Sequence, residues 1–314
     1  MKPLRAFLPL MAAIAVLLII FAAWVPQNRF LTSGNLIDLA QQISVNAILA
    51  FGLTLVILIG GIDLSVGAVV AFAGVACVSV LGTAGPLGGL AAGLGAALLF
   101  GFVNGLCAAR TRMPPFIITL ATMLVARGMA LGFNESRPLP IGADQNFILA
   151  IGNARLGGCL PLPVILMAAV FVVMAVLLHR TRFGQHLFAI GGNREAARFT
   201  GIAIARLEVA VYALCGLCAG LAGLIHASQL YSAEPASGQG FELNAIAAVV
   251  VGGTSFSGGI GSLPGTLLGA IIIGILDKGL NQAGVHFSLQ YIVKGLVILV
   301  AVYADVRRRK EIGT

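Results

Sequence analysis

Charged side chains are scarce in this sequence, with Asp, Glu, Lys and Arg together forming only 10% of the chain, whereas 59% is hydrophobic. A soluble domain carries about 25% charged residues. The apolar residues fall in long runs close to the ~20 residues that a helix needs to cross a bilayer. Because backbone groups must pair internally in lipid, these runs are predicted to be helices. The short alternating segments of a membrane β-barrel are absent. Composition therefore predicts an all-α, polytopic membrane protein.

The sequence also lacks the motifs of several enzyme classes. No G-x-x-x-x-G-K-[ST] phosphate-binding loop is present, so the chain is not predicted to hydrolyse ATP. The four histidines are dispersed, and neither HExxH nor GxSxG occurs. Cys215 and Cys218 form a CxxC inside an apolar run, where helix packing is a better interpretation than metal binding. We therefore predict no catalytic residue, metal site or cofactor in this chain.

Ten apolar segments predict a bundle of about ten transmembrane helices. They lie near residues 7–25, 40–59, 64–82, 87–109, 116–133, 163–179, 207–227, 243–257, 264–282 and 289–305. With the N-terminus inside, thirteen basic residues fall on the cytoplasmic side: Lys2, Arg5, Arg110, Arg112, Arg180, Arg182, Arg194, Arg198, Arg206, Arg307, Arg308, Arg309 and Lys310. Only Arg29, Arg137 and Arg155 fall outside, while Arg127, Lys278 and Lys294 lie within apolar segments. The positive-inside rule thus predicts that both termini are cytoplasmic.

The net charge of +8 follows from these topology-determining residues. They are expected to contact anionic membrane lipid. A nucleic-acid partner is not predicted, since no soluble basic face with base-reading groups is present. The longest outside loop is 134–162 and the longest inside loop is 180–206, and neither is long enough to form a core of its own. We therefore predict one transmembrane domain over residues 1–314, with 180–206 as a cytoplasmic loop within it.

The stretch GGIDLSVG (60–67) places a carboxylate, Asp63, between two apolar runs. Gly60 and Gly61 are suited to break the incoming helix, since glycine adopts positive φ at little cost. Asp63 or Ser65 is then placed to cap the next helix. Alternatively, Asp63 lies in a translocation path, where a charge needs a partner or water. The stretch VGGTSFSGG (251–259) repeats the glycine and serine spacing, which suggests an internal duplication of the kind found in transporters.

Four long runs resemble the permease subunits of ribose-type ABC sugar importers. They are QQISVNAILAFGLTLVILIGGIDLSVGAVVAFAG, PPFIITLATMLVARG, RTRFGQHLFAIGGNREAARFTGI and GFELNAIAAVVVGGTSFSGGIGSLPGTLLGA. The resemblance extends from about residue 35 to 306. It implies a transmembrane permease of the bacterial cytoplasmic membrane that moves ribose or a related monosaccharide. It also implies three partners: a cytoplasmic ATPase that carries ATP and Mg²⁺, a periplasmic sugar-binding protein, and a second permease chain, identical or related.

The resemblance also implies that IGGNREAARFTGI, in the inside loop, is the coupling helix that docks on the ATPase. Asn193 is suited to cap a short helix and Glu195 to face its positive end. Ala196, Ala197 and Phe199 would form a small apolar docking face. Arg194 and Arg198 would share one face and reach acidic groups of the partner. The predicted coupling set is Gly192, Asn193, Arg194, Glu195, Ala196, Ala197, Arg198, Phe199 and Gly201.

A sugar pathway should be lined by polar side chains, with recognition left mainly to the binding protein. The candidate pathway residues are Asn46, Asp63, Ser65, Asn104, Phe116, Thr119 and Asn244. Arg137 and Arg155, in the outside loops, are candidates for docking the binding protein. An ion-coupled secondary transporter is the main alternative, with Asp63, Asp277 and Lys278 as its candidate coupling groups. A membrane-embedded enzyme is a third class, for which the sequence offers no catalytic constellation.

Overall fold

The structure is a computed structural model that describes the backbone of residues 2–312 and the side chains of residues 7–26, 29–303 and 307. Met1, Gly313 and Thr314 of the predicted domain lie outside the described residues, as do the side chains of Lys2, Arg5, Arg308, Arg309 and Lys310. The described backbone is predominantly helical.

The helices are α1 (Lys2–Trp24), α2 (Ser33–Leu58), α3 (Val66–Ser79), α4 (Leu81–Arg110), α5 (Pro115–Gly132), α6 (Asn146–Asn153), α7 (Leu162–Arg180), α8 (Arg182–Gly192), α9 (Arg194–Phe199), α10 (Ile204–Gln229), α11 (Phe241–Val251), α12 (Leu263–Gln282) and α13 (Phe287–Ile312). Short 3₁₀ turns cover Pro26–Leu31 and Phe133–Ser136. Two antiparallel pairs of two-residue strands occur in the described chain. In them β1 (Leu139–Pro140) pairs with β4 (Ser232–Ala233), and β2 (Arg155–Leu156) pairs with β3 (Leu160–Pro161).

The predicted helical membrane fold is confirmed, and each of the ten predicted segments contains a helix. Within the described residues, seven helices are long and apolar enough to cross a membrane. Three other apolar helical stretches, Val66–Ser79, Phe241–Val251 and Phe287–Tyr303, are shorter. At 1.5 Å per residue, α3 and α11 are too short to span the ~30 Å hydrocarbon core. Helix α11 is shorter than the segment predicted there because residues 252–262 are unwound. Helix α3 loses residues 64 and 65 to the unwound segment 59–65 and ends at Ser79, just before α4 begins.

The core of the bundle is built around α2, whose residues from Val45 to Leu58 are almost all buried, with Asn46 half-buried. It packs against α7, α10, α11 and α12. Helix α10 lies very close to α4, since a Cβ added at Gly105 would lie 2.6 Å from Val209 Cα. Small residues allow backbones in a membrane bundle to approach this closely, as the glycine spacing in α4 predicts.

The last residue of α2, Leu58, together with the unwound segment 59–65 that follows it, will be called the first break, and residues 252–262 the second break. Gly60 at φ +78° ends α2, which confirms the predicted helix-breaking role of the glycine pair. The two breaks meet, since the Gly259 amide donates a hydrogen bond to the Leu58 carbonyl at 2.8 Å. Non-helical backbone at membrane depth is tolerated where it is buried in protein. The repeated sequence motif therefore marks two helix breaks that contact each other.

Contacts between loops sort into two groups that agree with the predicted topology. On the predicted outer side, β1 pairs with β4, and Gln282 donates a hydrogen bond to Asn35 Oδ1. At the other end, the two breaks contact Gly191 of α8. The alternation of helices thus brings the predicted outer loops together and the predicted cytoplasmic segments together.

Candidate functional site

A cavity of about 390 Å³ lies among α2, α6, α10, α11 and α12. Polar side chains on its wall include Gln41, Gln42, Asn46, Gln229, Asn244 and Asp277, and Ile43 and Val45 contribute apolar surface. His226 and Phe241 also line it, with ring centroids 5.1 Å apart in an edge-on arrangement. The lining residues occupy the ends of their helices nearest the predicted outer face. The structure thus places two predicted pathway residues, Asn46 and Asn244, on one polar cavity.

A charged pair separates this cavity from a second one of about 340 Å³. Lys294 Nζ of α13 lies 2.9 Å from Asp277 Oδ1 of α12. The amide of Asn244 donates to the other carboxylate oxygen at 3.2 Å. Asp277 and Asn244 line both cavities, as does Gln42, while Lys294 lines the second. Sequence reasoning named Asp277 and Lys278 as candidate coupling groups and did not identify Lys294 as the partner of Asp277. The available signal was the basic residue inside an apolar segment.

Two polar atoms among the residues that line the 390 Å³ cavity have neither a hydrogen-bond partner nor an ion-pair partner within the described chain. They are Asn46 Oδ1 and Gln229 Nε2, and both atoms are buried. Buried polar groups in native proteins are almost always paired with protein or water. Both atoms are closed off from solvent, so these two unpaired groups lie beneath the cavity surface rather than on it.

The first break is held by a buried hydrogen-bond network that includes four other predicted pathway residues. Asp63 Oδ1 accepts from the Ser65 amide at 2.9 Å and from Ser65 Oγ at 2.6 Å. Asn104 of α4 donates to Ser65 Oγ at 2.9 Å. Thr119 Oγ1 of α5 donates to the Ile62 carbonyl and accepts from the Leu64 amide, both at 3.2 Å. All four side chains are buried away from the polar cavity.

In this network Ser65 is the N-cap residue of α3, but its side chain is bonded to Asp63 rather than to the helix amides. The remaining predicted pathway residue, Phe116, is 47% exposed on the surface of the single chain. The network therefore joins α3, α4 and α5 at the first break, and Phe116 lies apart from it.

Arg127, a third basic residue within an apolar segment, is engaged with backbone. Its Nη1 donates to the Pro235 carbonyl at 2.9 Å and to the Ser237 carbonyl at 2.6 Å. It lines a separate cavity of about 370 Å³ together with Met123 and Glu242. The guanidinium thus fixes the segment that leads from β4 into α11.

The inside loop contains two helices, α8 and α9, and α9 is the predicted coupling helix. Asn193 Oδ1 accepts a hydrogen bond from the Ala196 amide at 2.9 Å, so the predicted cap is confirmed. The helix ends at Thr200, and Gly201 follows at φ +81°. Gly192, Asn193, Arg194, Glu195, Ala196, Arg198 and Gly201 are exposed.

The predicted docking face of α9 is divided between the chain's own core and solvent. Ala197 is buried against the bundle, whereas Phe199 is 89% exposed. Arg194 forms an ion pair with Glu208 at 2.5 Å, and the Glu208 side chain is only 6% exposed. Arg194 therefore anchors α9 to α10, while Ala196, Arg198 and Phe199 of the predicted docking set remain exposed.

Helix α8 connects the coupling segment to both breaks. Gly184, Leu187 and Ile190 form its buried face. At its end, a Cβ on Gly191 would overlap the Leu58 carbonyl oxygen and the Gly259 amide nitrogen. Only a glycine allows the three backbones to lie this close. The exposed helix α9 thus begins three residues after Gly191, which contacts both breaks.

The two predicted docking arginines lie on the predicted outer face, each near an acidic group of the same chain. Arg137 lies 3.3 Å from Glu135, and Arg155 lies 3.7 Å from Asp38. All four side chains are substantially exposed, so these pairs contribute little to stability. Among the described residues, no group of three or more His, Cys, Asp or Glu could hold a metal ion.

Comparison with known families matches residues 35–302 to the permease component of the branched-chain amino acid transport system family. The chain belongs to this family. It is a multi-pass permease of the cytoplasmic membrane, as the topology and apolar helices predict. No solved structure matches it significantly.

Named relatives of the permease include sugar importers. It is 44% identical over 299 residues to the ribose import permease protein RbsC of Escherichia coli K12, covering 94% of this chain and 93% of that one. It is 46% identical over 279 residues to the Bacillus subtilis 168 protein of the same name, covering 88% and 86%. It is 36% identical over 302 residues to the E. coli K12 L-arabinose transport system permease protein AraH, covering 96% and 90%.

Proposed function

We propose that this permease is the transmembrane subunit of an ABC importer for ribose or a related monosaccharide. The observation that carries the proposal is the outward-facing helix α9, joined through α8 to the junction of the two breaks. Such a helix can transmit movement from a soluble motor to the membrane core. The names of the relatives, which transport ribose and L-arabinose, support a sugar as cargo.

In this proposal the whole chain forms one transmembrane domain, with 180–206 as its coupling loop. A separate cytoplasmic ATPase binds and hydrolyses ATP with Mg²⁺, and the permease itself carries no cofactor or ATPase site. Phe199, with its side chain 89% exposed, is an apolar knob for a groove on that subunit. Arg198 offers a charge beside it. The docked α9 then pulls α8 against the breaks, and the attached helices tilt as near-rigid bodies.

Sugar moves through the polar cavity in this proposal, with Asn46 and Asn244 on its wall. Asp63, Ser65, Asn104 and Thr119 act on the pathway through the first break, whose shape they hold. Phe116, exposed on the single chain, is placed to meet a second permease chain or lipid. Arg137 and Arg155, on the predicted outer face, meet acidic groups of a periplasmic sugar-binding protein.

The test is reconstitution of the permease in liposomes with its partner ATPase and loaded binding protein. We expect radiolabelled sugar to cross to the side of the membrane that carries the ATPase only when ATP is present on that side. Arg198→Glu should abolish uptake while leaving membrane insertion intact. Normal uptake by this variant would contradict the role of α9.

The same assay separates the proposal from ion-coupled transport, for which the Asp277–Lys294 pair is now the most plausible coupling site. Uptake that survives ATP depletion and collapses with an ionophore would favour a secondary transporter. Uptake of leucine instead of sugars would place the substrate with the amino acids named in the family description.

A further inference from the structure

We propose that Asp277, with Asn244, Gln42 and Lys294 around it, forms a binding subsite for vicinal hydroxyls of a neutral sugar. The inference rests on the proposed function and deepens it. Importers of this kind depend on a separate binding protein for selection, yet this wall has the chemistry of a recognition site rather than of an inert channel.

The first argument is the placement of charge. Asp277 and Lys294 lie within transmembrane helices, where ionisable side chains are costly and usually mark a transport pathway. Their pairing at 2.9 Å reduces the electrostatic cost, so the pair could serve structure alone. However, the carboxylate lies on the wall between two cavities and lines both. A purely structural pair between α12 and α13 would not need to face them.

The second argument is the complement of hydrogen-bonding groups. A sugar diol presents two hydroxyls, each of which both donates and accepts. Asp277 accepts only, the Lys294 ammonium donates only, and the amides of Asn244 and Gln42 do both. A ligand with hydroxyls on several ring carbons satisfies all of these groups together.

The third argument is shape and polarity. The larger cavity, about 390 Å³, lies within the range of ~300–1,000 Å³ that is usual for small-molecule sites. Phe241 gives it one aromatic surface, against which the apolar face of a sugar ring can pack. The side-chain amides and the Asp277 carboxylate on the same wall provide hydrogen-bond partners for the hydroxyls of the sugar.

The test is protection of a cysteine on the wall from a small, charged thiol reagent. The full chain is placed in nanodiscs without partners, with Cys107 and Cys159 changed to serine, and Asp38→Cys, on the wall of the larger cavity but outside the subsite, is labelled with and without D-ribose or L-arabinose. We expect either sugar to slow labelling at millimolar concentration. Leucine should have no effect. Asp144→Cys, in an exposed outer loop, is the matched control and should label at the same rate throughout.

The second variant is Asp277→Asn in the same background, which keeps the size of the side chain and removes its charge. Loss of a charged hydrogen bond should raise the sugar concentration for half-protection by about tenfold or more. An unchanged labelling rate without sugar, and unchanged elution on size exclusion, will show that the fold is retained. If that rate changes, Lys294→Met is tested in the same assay. Loss of the ammonium should also weaken protection by sugar, so unchanged protection of this variant would contradict the subsite.

Three results would overturn the subsite. They are no protection by either sugar at 100 mM, equal protection of the reporter-cysteine protein with and without Asp277→Asn, or protection by leucine alone. The assay contains no ATP and no ATPase, so its outcome is independent of coupling. Protection without ATP-driven uptake in liposomes would contradict the importer function and leave the subsite standing. Uptake without protection would contradict the subsite and leave the importer function standing.

Discussion

The unwound backbone of the two breaks is stabilised by different kinds of hydrogen bond. In the first break, side chains hold the unwound backbone: Asp63 accepts from the Ser65 amide, and Thr119 bonds the Leu64 amide and the Ile62 carbonyl. In the second, backbone pairs with backbone. The amides of Thr254, Ser255 and Gly259 donate to the carbonyls of Val249, Ile260 and Leu58. Polar substitutions should therefore damage the first break, and loss of glycine the second.

The largest expected effect is at Gly259, which adopts φ +75° in the second break. Gly259→Ala would strain the backbone and place a Cβ 2.8 Å from the Gly192 amide nitrogen. We expect a loss of about 2–4 kcal/mol, from left-handed strain and overpacking together. Thermal unfolding in detergent measures the stability.

Gly284→Ala is the matched control, since Gly284 has φ +73° and open space around its Cβ position. It should lose only the ~1–2 kcal/mol of left-handed strain. Equal losses at the two glycines would show that close contact at the junction contributes nothing.

The second effect is at Asp63, in the first break. Asp63→Ala leaves the Ser65 amide and hydroxyl without their shared acceptor in a buried site. We expect a loss of about 1–3 kcal/mol, the cost of an unsatisfied buried group, and more if Asn104 also loses its alignment. Asp63→Asn, which keeps one oxygen acceptor, should lose less. The same thermal assay in detergent compares them.

Asp144→Ala, in an exposed loop, controls for removal of a carboxylate and should be neutral within about 0.5 kcal/mol. A neutral Asp63→Ala would show that the first break does not depend on its carboxylate.

A smaller effect is expected at Thr119, whose hydroxyl bridges Ile62 and Leu64 of the first break. Thr119→Val should cost about 0.5–1.5 kcal/mol, since each neutral hydrogen bond contributes about that much. Thr122→Val is the control, because Thr122 bonds only the Thr119 carbonyl of its own helix. In thermal unfolding, Thr119→Val should be less stable than Thr122→Val. The opposite order would contradict the bridging role of the Thr119 hydroxyl.

The smallest effect is expected at Ser257, which is exposed at the tip of the second break. Ser257→Ala should be neutral within about 0.5 kcal/mol. Ser65→Ala, at a buried serine of the first break, is the direct comparison and should cost at least 1 kcal/mol. Equal losses for the two serines in thermal unfolding would remove the distinction between side-chain and backbone support.

Much of this architecture follows from local sequence. Apolar runs predict the ten helical segments, Gly60 predicts the end of α2, and Asn193 predicts the cap of α9. The short lengths of α3 and α11 were not predicted, because hydropathy does not register where an apolar segment unwinds. The Asp277–Lys294 pair joins two helices across a turn, and its geometry depends on tertiary packing. The same holds for the contact of Gly191 with both breaks.

Predicted roles divide in a similar way. The side chains of Asn46 and Asn244 lie on a cavity near the predicted outer face, whereas Asp63, Ser65, Asn104 and Thr119 lie in a buried network at the first break, toward the predicted cytoplasmic end. In sequence all six are simply polar residues in apolar surroundings. Only the packing of α2, α4, α5 and α11 determines which of the six line the cavity and which take part in the hydrogen bonds of the first break.

The central claim is that α9 docks on a separate ATPase and transmits its movement to the breaks. The most direct measurement is co-purification of that ATPase with tagged permease from the native membrane, comparing the wild-type chain with Phe199→Asp. The account predicts that the ATPase is recovered with wild type and lost with the variant, at equal permease yield. Recovery of the ATPase with Phe199→Asp at the wild-type level, or of no ATPase with either chain, would contradict it.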